Sequence, residues 1–117
     1  MEYIGSNAFA DCTNLQTVRM EARLDTLREG IFDGCVALNS IRIPGTVKQI
    51  DRDAFRRCKS LTKITIPETV ESLGYRAFYA CERLESVSLS SKMDAIPYQA
   101  FYKCFKLKKV DGMSKIR

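Results

Sequence analysis

Histidine and tryptophan are absent from the 117 residues, and proline occurs only three times. Without histidine the chain lacks the commonest general base and a frequent metal ligand. No run of about 18 apolar residues occurs, so the sequence offers no transmembrane helix. The start, MEYIGSNAFADC, has neither a basic segment nor an apolar core of signal-peptide length, so the chain as given reads as a soluble piece. No G-x-x-x-x-G-K-[ST], G-x-G-x-x-G or G-x-S-x-G motif is present. Carboxylates are plentiful, but they scatter over outward positions instead of converging in pairs. These absences point away from an enzyme and call for no cofactor.

What is present is apolar enough to fold. Hydrophobic residues make up 45% and charged residues 28%, which excludes a disordered polar tail. The net charge of +5 is uneven. Residues 1–49 carry five Lys/Arg against six Asp/Glu, and residues 50–95 carry eight against seven. Residues 96–117 carry six against Asp111 alone, so the whole excess lies in the last stretch. A nucleic-acid binder more usually spreads such charge as a stripe over one face.

The dominant signal is a repeat of 23 residues. It links Cys12, Cys35, Cys58, Cys81 and Cys104, and likewise Phe9, Phe32, Phe55, Phe78 and Phe101. Three more columns keep the same step: Leu15 to Leu107, Val18 to Val110, and Ile4 to Ile96. No insertion or deletion interrupts them. Two periods lie inside each unit. Ile50, Ala54, Cys58 and Leu61 step by four, four and three, which predicts a short helix. Ile64 and Ile66 flank Thr65, the alternation of a strand, and Pro67 ends the pairing. Pro44 does the same in repeat two. The turn before the helix holds Gly5, Arg28, Asp51, Gly74 and Pro97 in one column. Proline there means the turn needs no positive φ, so its glycines read as convenient and not as required. One such unit cannot bury its own apolar side, so the units stack.

The segments LQTVRM, LNSIRI, LTKITI and LESVSL, flanked by AFADC, AFRRC, AFYAC and AFYKC with IP after the strand, resemble the BspA-like (Treponema pallidum type) leucine-rich repeats. The resemblance implies an α/β leucine-rich-repeat solenoid with a parallel sheet on the concave face and short helical segments on the convex face. It also implies roles at bacterial or protozoan surfaces, in adhesion and host-protein binding. Residues 1–117 read as a single leucine-rich-repeat domain, with repeats starting near 4, 27, 50, 73 and 96, and as part of a longer array. Several positions depart from the pattern. Ile31 stands where the other repeats have alanine, Glu21 and Ser90 replace the post-strand proline, and Gly112 replaces an apolar residue of the last strand. Neither end shows a polar capping unit, which leaves self-association through the ends open.

Each cysteine belongs to a different rung, and no C-x-x-C exists, so no zinc pairing is indicated. The five thiols read as one interior row of small apolar residues. Free thiols suit a reducing compartment, whereas the resemblance suggests a secreted or cell-surface setting, so the compartment stays open.

Two surfaces are candidates for a protein partner. Arg19, Arg42, Thr65 and Ser88 share one outward strand column, and Lys63 lies in the next. This face is either simply solvated or a shallow concave site anchored by its arginines. Tyr75 and Tyr98 share a column, as do Tyr79 and Tyr102, with Phe105 further on. These rings either cover neighbouring aliphatic surface or form an interface patch on the convex side. A minor alternative is nucleic-acid binding, since Lys106, Lys108 and Lys109 lie beside Tyr102 and Phe105.

Overall fold

The computed structural model describes residues 4–20, 24–93, 96–97 and 99–112. Each 23-residue unit forms one rung, and successive rungs stack in parallel. A rung has three sides.

The first side carries the longer strands: β1 (Thr17–Arg19), β3 (Ser40–Arg42), β5 (Lys63–Thr65), β7 (Ser86–Ser88) and β8 (Lys109–Asp111). The middle residue of each is Val or Ile and points inward, while its polar neighbours point out. The register steps by one repeat, with Val18 beside Ile41 and Ile64 beside Val87. The second side carries shorter strands: β2 (Thr26–Leu27), β4 (Gln49–Ile50) and β6 (Ser72–Leu73). They form a continuous parallel sheet in the order β2-β4-β6. Leu27, Ile50 and Leu73 are therefore strand residues and not the start of a helical stripe.

The third side corrects the expected helix. Among the described residues no helix forms, and the segment from Asp51 to Ser60 is a chain of turns. Its N–H groups alternate in their use. Those of Ala54, Arg56 and Cys58 close tight turns onto Asp51, Asp53 and Phe55. Those of Asp53, Phe55 and Arg57 cross instead to the carbonyls of Tyr75, Ala77 and Tyr79 on the next rung. A helix would use every one of these groups within its own segment. The backbone also enters the left-handed region twice per rung. Asn7, Gly30, Asp53, Arg76 and Gln99 do so in one column, and Asp11, Gly34, Arg57, Ala80 and Lys103 in another. A right-handed helix cannot run through such residues. The spacing of four between inward side chains is real, but it comes from paired turns.

Glycine matters here in ways the sequence hid. Gly74 keeps a negative φ, as the proline in its column requires, yet a side chain there would collide with the backbone of Asp51 and Arg52. It is needed for close approach and is not a convenience. Gly30 and Gly34 combine positive φ with the Asn7 and Asp11 side chains packed against them.

Two ladders fill the interior. The rings of Phe9, Phe32, Phe55, Phe78 and Phe101 stack with centroids 5.7, 5.5, 5.1 and 5.5 Å apart. Beside them run the cysteines, buried at Cys35, Cys58 and Cys81 and half-buried at Cys12 and Cys104. The thiols do more than fill space. Cys35, Cys58, Cys81 and Cys104 donate to the carbonyls of Phe9, Phe32, Phe55 and Phe78 on the preceding rung, at 3.1–3.3 Å. Each of those carbonyls also accepts the amide of its own rung's cysteine. Both lone pairs of a buried acceptor are thus used. Burial pushes the thiols of Cys35, Cys58 and Cys81 up from their ordinary value, because the thiolate would be stripped of water.

The irregular positions are accommodated. Ile31 is fully buried in its alanine column. Ser90 is buried, donates to the Glu68 carbonyl at 3.2 Å and accepts the Lys92 amide at 3.0 Å. Gly112 adopts a φ of 87° against the Leu89 carbonyl. Glu21 lies outside the described residues.

Candidate functional site

The longer-strand side is divided. Its strands form two separate sheets, β1-β3 and β5-β7-β8, and no ladder joins β3 to β5. A groove of about 510 Å³ lies at that division. Ser40, Ile41 and Arg42 line one wall, and Lys63, Ile64 and Thr65 line the other. Arg42, Lys63 and Thr65 are exposed, while Ile64 is buried in the floor.

Three of the five residues expected on this face therefore meet at one groove. Arg19 and Ser88 do not line it. Arg19 sits in register with Arg42 on β1, and Ser88 with Thr65 on β7, so they flank it on opposite sides. Among the described residues no Asp or Glu lines the groove, whereas Arg42 and Lys63 do, so its walls carry positive charge. The division itself was not visible in the sequence. Ser40, Ile41 and Arg42 are as strand-like as the residues of the paired strands.

The turn side holds the aromatic candidates. Asp33, Arg56, Tyr79 and Tyr102 occupy one column and touch in succession. Arg56 pairs with Asp33 at 3.5 Å, lies 5.6 Å from the Tyr79 ring centre, and Tyr79 lies 5.6 Å from Tyr102. Arg76 covers both Tyr75 and Tyr79, at 4.7 and 5.5 Å, and Lys103 approaches Tyr79 at 5.9 Å. The patch is thus an arginine–tyrosine mosaic in which cations rest on ring faces. Tyr98 lies outside the described residues. Phe105 is 73% exposed and shares no ring contact with Tyr102 among the described residues. Carboxylates tie this side together. Arg52 meets Glu29 at 3.2 Å, Arg76 meets Asp53 at 3.5 Å, and Arg57 reaches both Asp11 and Asp33. These pairs go beyond the sequence expectations, although the shared columns of Glu29 with Arg52 and Asp53 with Arg76 carried the signal.

Lys106, Lys108 and Lys109 are exposed beside the last rung. Lys115 and Arg117, the rest of the basic stretch, lie outside the described residues. Among the described residues, no helix is long and apolar enough to cross a membrane.

Comparison with known proteins fits this geometry. No curated protein sequence matches the chain. A leucine-rich repeat protein of T. pallidum is 23% identical over 94% of this chain and 62% of its own, with a TM-score of 0.71, and shares the fold. A leucine-rich cell surface protein of Faecalibacterium prausnitzii is 28% identical over 92% of this chain and 28% of its own, with a TM-score of 0.76. A leucine-rich repeat protein of Bacteroides ovatus is 32% identical over 92% of this chain and 34% of its own, with a TM-score of 0.66. The chain thus spans less than two thirds of each of these structures. The model of the BspA type leucine rich repeat region matches residues 1–117 with six copies. With its rungs in register and its Phe and Cys ladders continuous, the chain belongs to the BspA-type leucine-rich repeat family.

Proposed function

We propose that this chain is a non-catalytic interaction or adhesion module that binds a protein partner on its longer-strand side. The groove between β3 and β5 carries the reading, because it joins exposed Arg42 and Lys63 to a partly apolar floor. Arginine beside apolar contact is the composition of binding hot spots. Open strands with outward hydroxyls offer a surface and no enclosed reaction chamber. The family and the F. prausnitzii relative, described as a cell surface protein, support a surface setting. The chain then works as a segment of a longer array that presents this face.

Biolayer interferometry against a panel of extracellular-matrix and serum proteins tests the reading. A chain carrying Arg42→Glu and Lys63→Glu should lose a partner that the parent binds, while keeping its circular dichroism and melting behaviour. Equal binding by the reversed chain would overturn it.

A second reading is self-association, favoured by one observation. Tyr75, Tyr102 and Phe105 are 38, 51 and 73% exposed on the turn side. Exposed aromatic area of this kind is common in interfaces. Sedimentation velocity over a concentration series tests it, with Tyr79→Ser and Tyr102→Ser as the comparison. A mass that stays monomeric throughout removes this reading.

A further inference from the structure

The longer-strand side has four junctions between rungs. At three of them two consecutive amides converge on one carbonyl of the preceding rung. Asn39 and Ser40 meet Gln16 at 2.8 and 3.4 Å, and Glu85 and Ser86 meet Thr62 at 2.7 and 3.3 Å. Lys108 and Lys109 meet Glu85 at 2.9 and 3.2 Å. At the fourth junction the equivalent donors are Thr62 and Lys63, and the equivalent acceptor is the Asn39 carbonyl. Those bonds are not made, and the groove opens there. No proline stands at 39–42 or 62–65, so every donor is present.

At the other three junctions the two adjacent amides aim at one acceptor, and amides so placed form a small anion-binding concavity. At the fourth the equivalent amides open beside a guanidinium and an ammonium, with no carboxylate on the walls among the described residues. Arginine grips carboxylates through two parallel hydrogen bonds, and backbone amides add charge-assisted ones.

We propose that the β3–β5 groove is a carboxylate-binding site for an acidic peptide segment of the partner. One carboxylate oxygen takes the place that the Asn39 carbonyl leaves empty and accepts from the Thr62 and Lys63 amides. The Arg42 side chain holds the second oxygen, and the Lys63 ammonium neutralises neighbouring acidic residues. This assignment rests on the reading that the longer-strand side is the interaction face. It adds the chemistry that face selects.

Nuclear magnetic resonance with the nitrogen-15-labelled chain tests it. Three probes are titrated separately: a capped hexaglutamate peptide, a capped hexaglutamine peptide and a heparin-derived oligosaccharide. The expected result is a saturable downfield shift of the Thr62 and Lys63 amides with hexaglutamate alone. Arg42→Gln should weaken that binding at least tenfold and leave the spectrum otherwise unchanged. Two results would overturn the assignment. One is a response to hexaglutamate confined to residues 106–109. The other is a Thr62 and Lys63 response to the sulfated oligosaccharide and none to the peptide. If neither peptide binds but the charge-reversed chain still loses its protein partner, the interaction face stands and the carboxylate assignment falls.

Discussion

Arg19 and Arg42 face each other across the parallel register of β1 and β3, both exposed on the same side of the sheet. Like charges placed directly opposite destabilise a sheet by about 0.2–1 kcal/mol. The position one rung further holds Thr65, so the fold does not demand arginine there. Arg42→Thr should therefore raise the free energy of unfolding by a few tenths of a kcal/mol, and at most about 1 kcal/mol. The same change should weaken partner binding. Urea unfolding and the binding assay together check this, and a loss of stability would show that the pair is held for structural reasons.

Cys58 is fully buried and donates to the Phe32 carbonyl at 3.3 Å. Cys58→Ala removes that donor and leaves a small void. The expected cost is about 1–2 kcal/mol, combining the lost hydrogen bond with the cavity. Cys58→Ser keeps a donor and should cost less than the alanine change. If alanine and serine prove equivalent in chemical denaturation, the thiol acts as filler only.

The buried thiols also set a pH dependence. Burial raises the pKa of Cys35, Cys58 and Cys81 above the ordinary value of 9.0. Below that value both the folded and unfolded chains keep these protons, and the thiol contribution to stability is fully present. Above it the unfolded chain releases protons that the folded chain retains. Stability then falls as pH rises, by up to about 1.4 kcal/mol per pH unit for each thiol. Urea unfolding at about pH 8 and about pH 10.5 measures the slope. Cys58→Ser should flatten it by one thiol's share. An identical slope in the variant would mean that the Cys58 thiol does not govern the alkaline loss.

Gly34 sits at a φ of 80°, and a side chain there would run into the Asp11 carboxylate. Gly34→Ala should cost about 1–3 kcal/mol through backbone strain. Gly45 provides the control, because a side chain there meets nothing within 4 Å. Gly45→Ala should leave the thermal midpoint unchanged or slightly higher. Equal losses at both sites would remove the left-handed conformation as the cause.

The rows of the fold were legible because a constant repeat turns letters 23 apart into neighbours. Val18, Ile41, Ile64 and Val87 announced the longer strands, and the cysteines announced an interior row. The turn side was misread for a physical reason. Paired turns and a helix place inward side chains at the same spacing, so hydrophobic periodicity alone cannot separate them. The distinguishing residues were present in the first two rungs, as Asn7, Asp11, Gly30 and Gly34. All four tolerate positive φ. Their counterparts Arg57, Arg76 and Lys103 concealed the pattern, because such side chains adopt that conformation less readily. Arg42, Lys63 and Thr65 were legible as an outward group. The opening between their strands was not, because it depends on hydrogen bonds left unmade between unremarkable residues.

The joint use of the Phe9, Phe32, Phe55 and Phe78 carbonyls by an amide of their own rung and a thiol of the next governs how such an array can change length. Duplicating or deleting a whole 23-residue unit preserves both bonds at every junction. A single residue inserted between Phe55 and Cys58 would detach Cys58 from Phe32 and from Phe55 together. Recombination by complete units is thus tolerated, while slippage by one residue is punished twice, which keeps the spacing uniform.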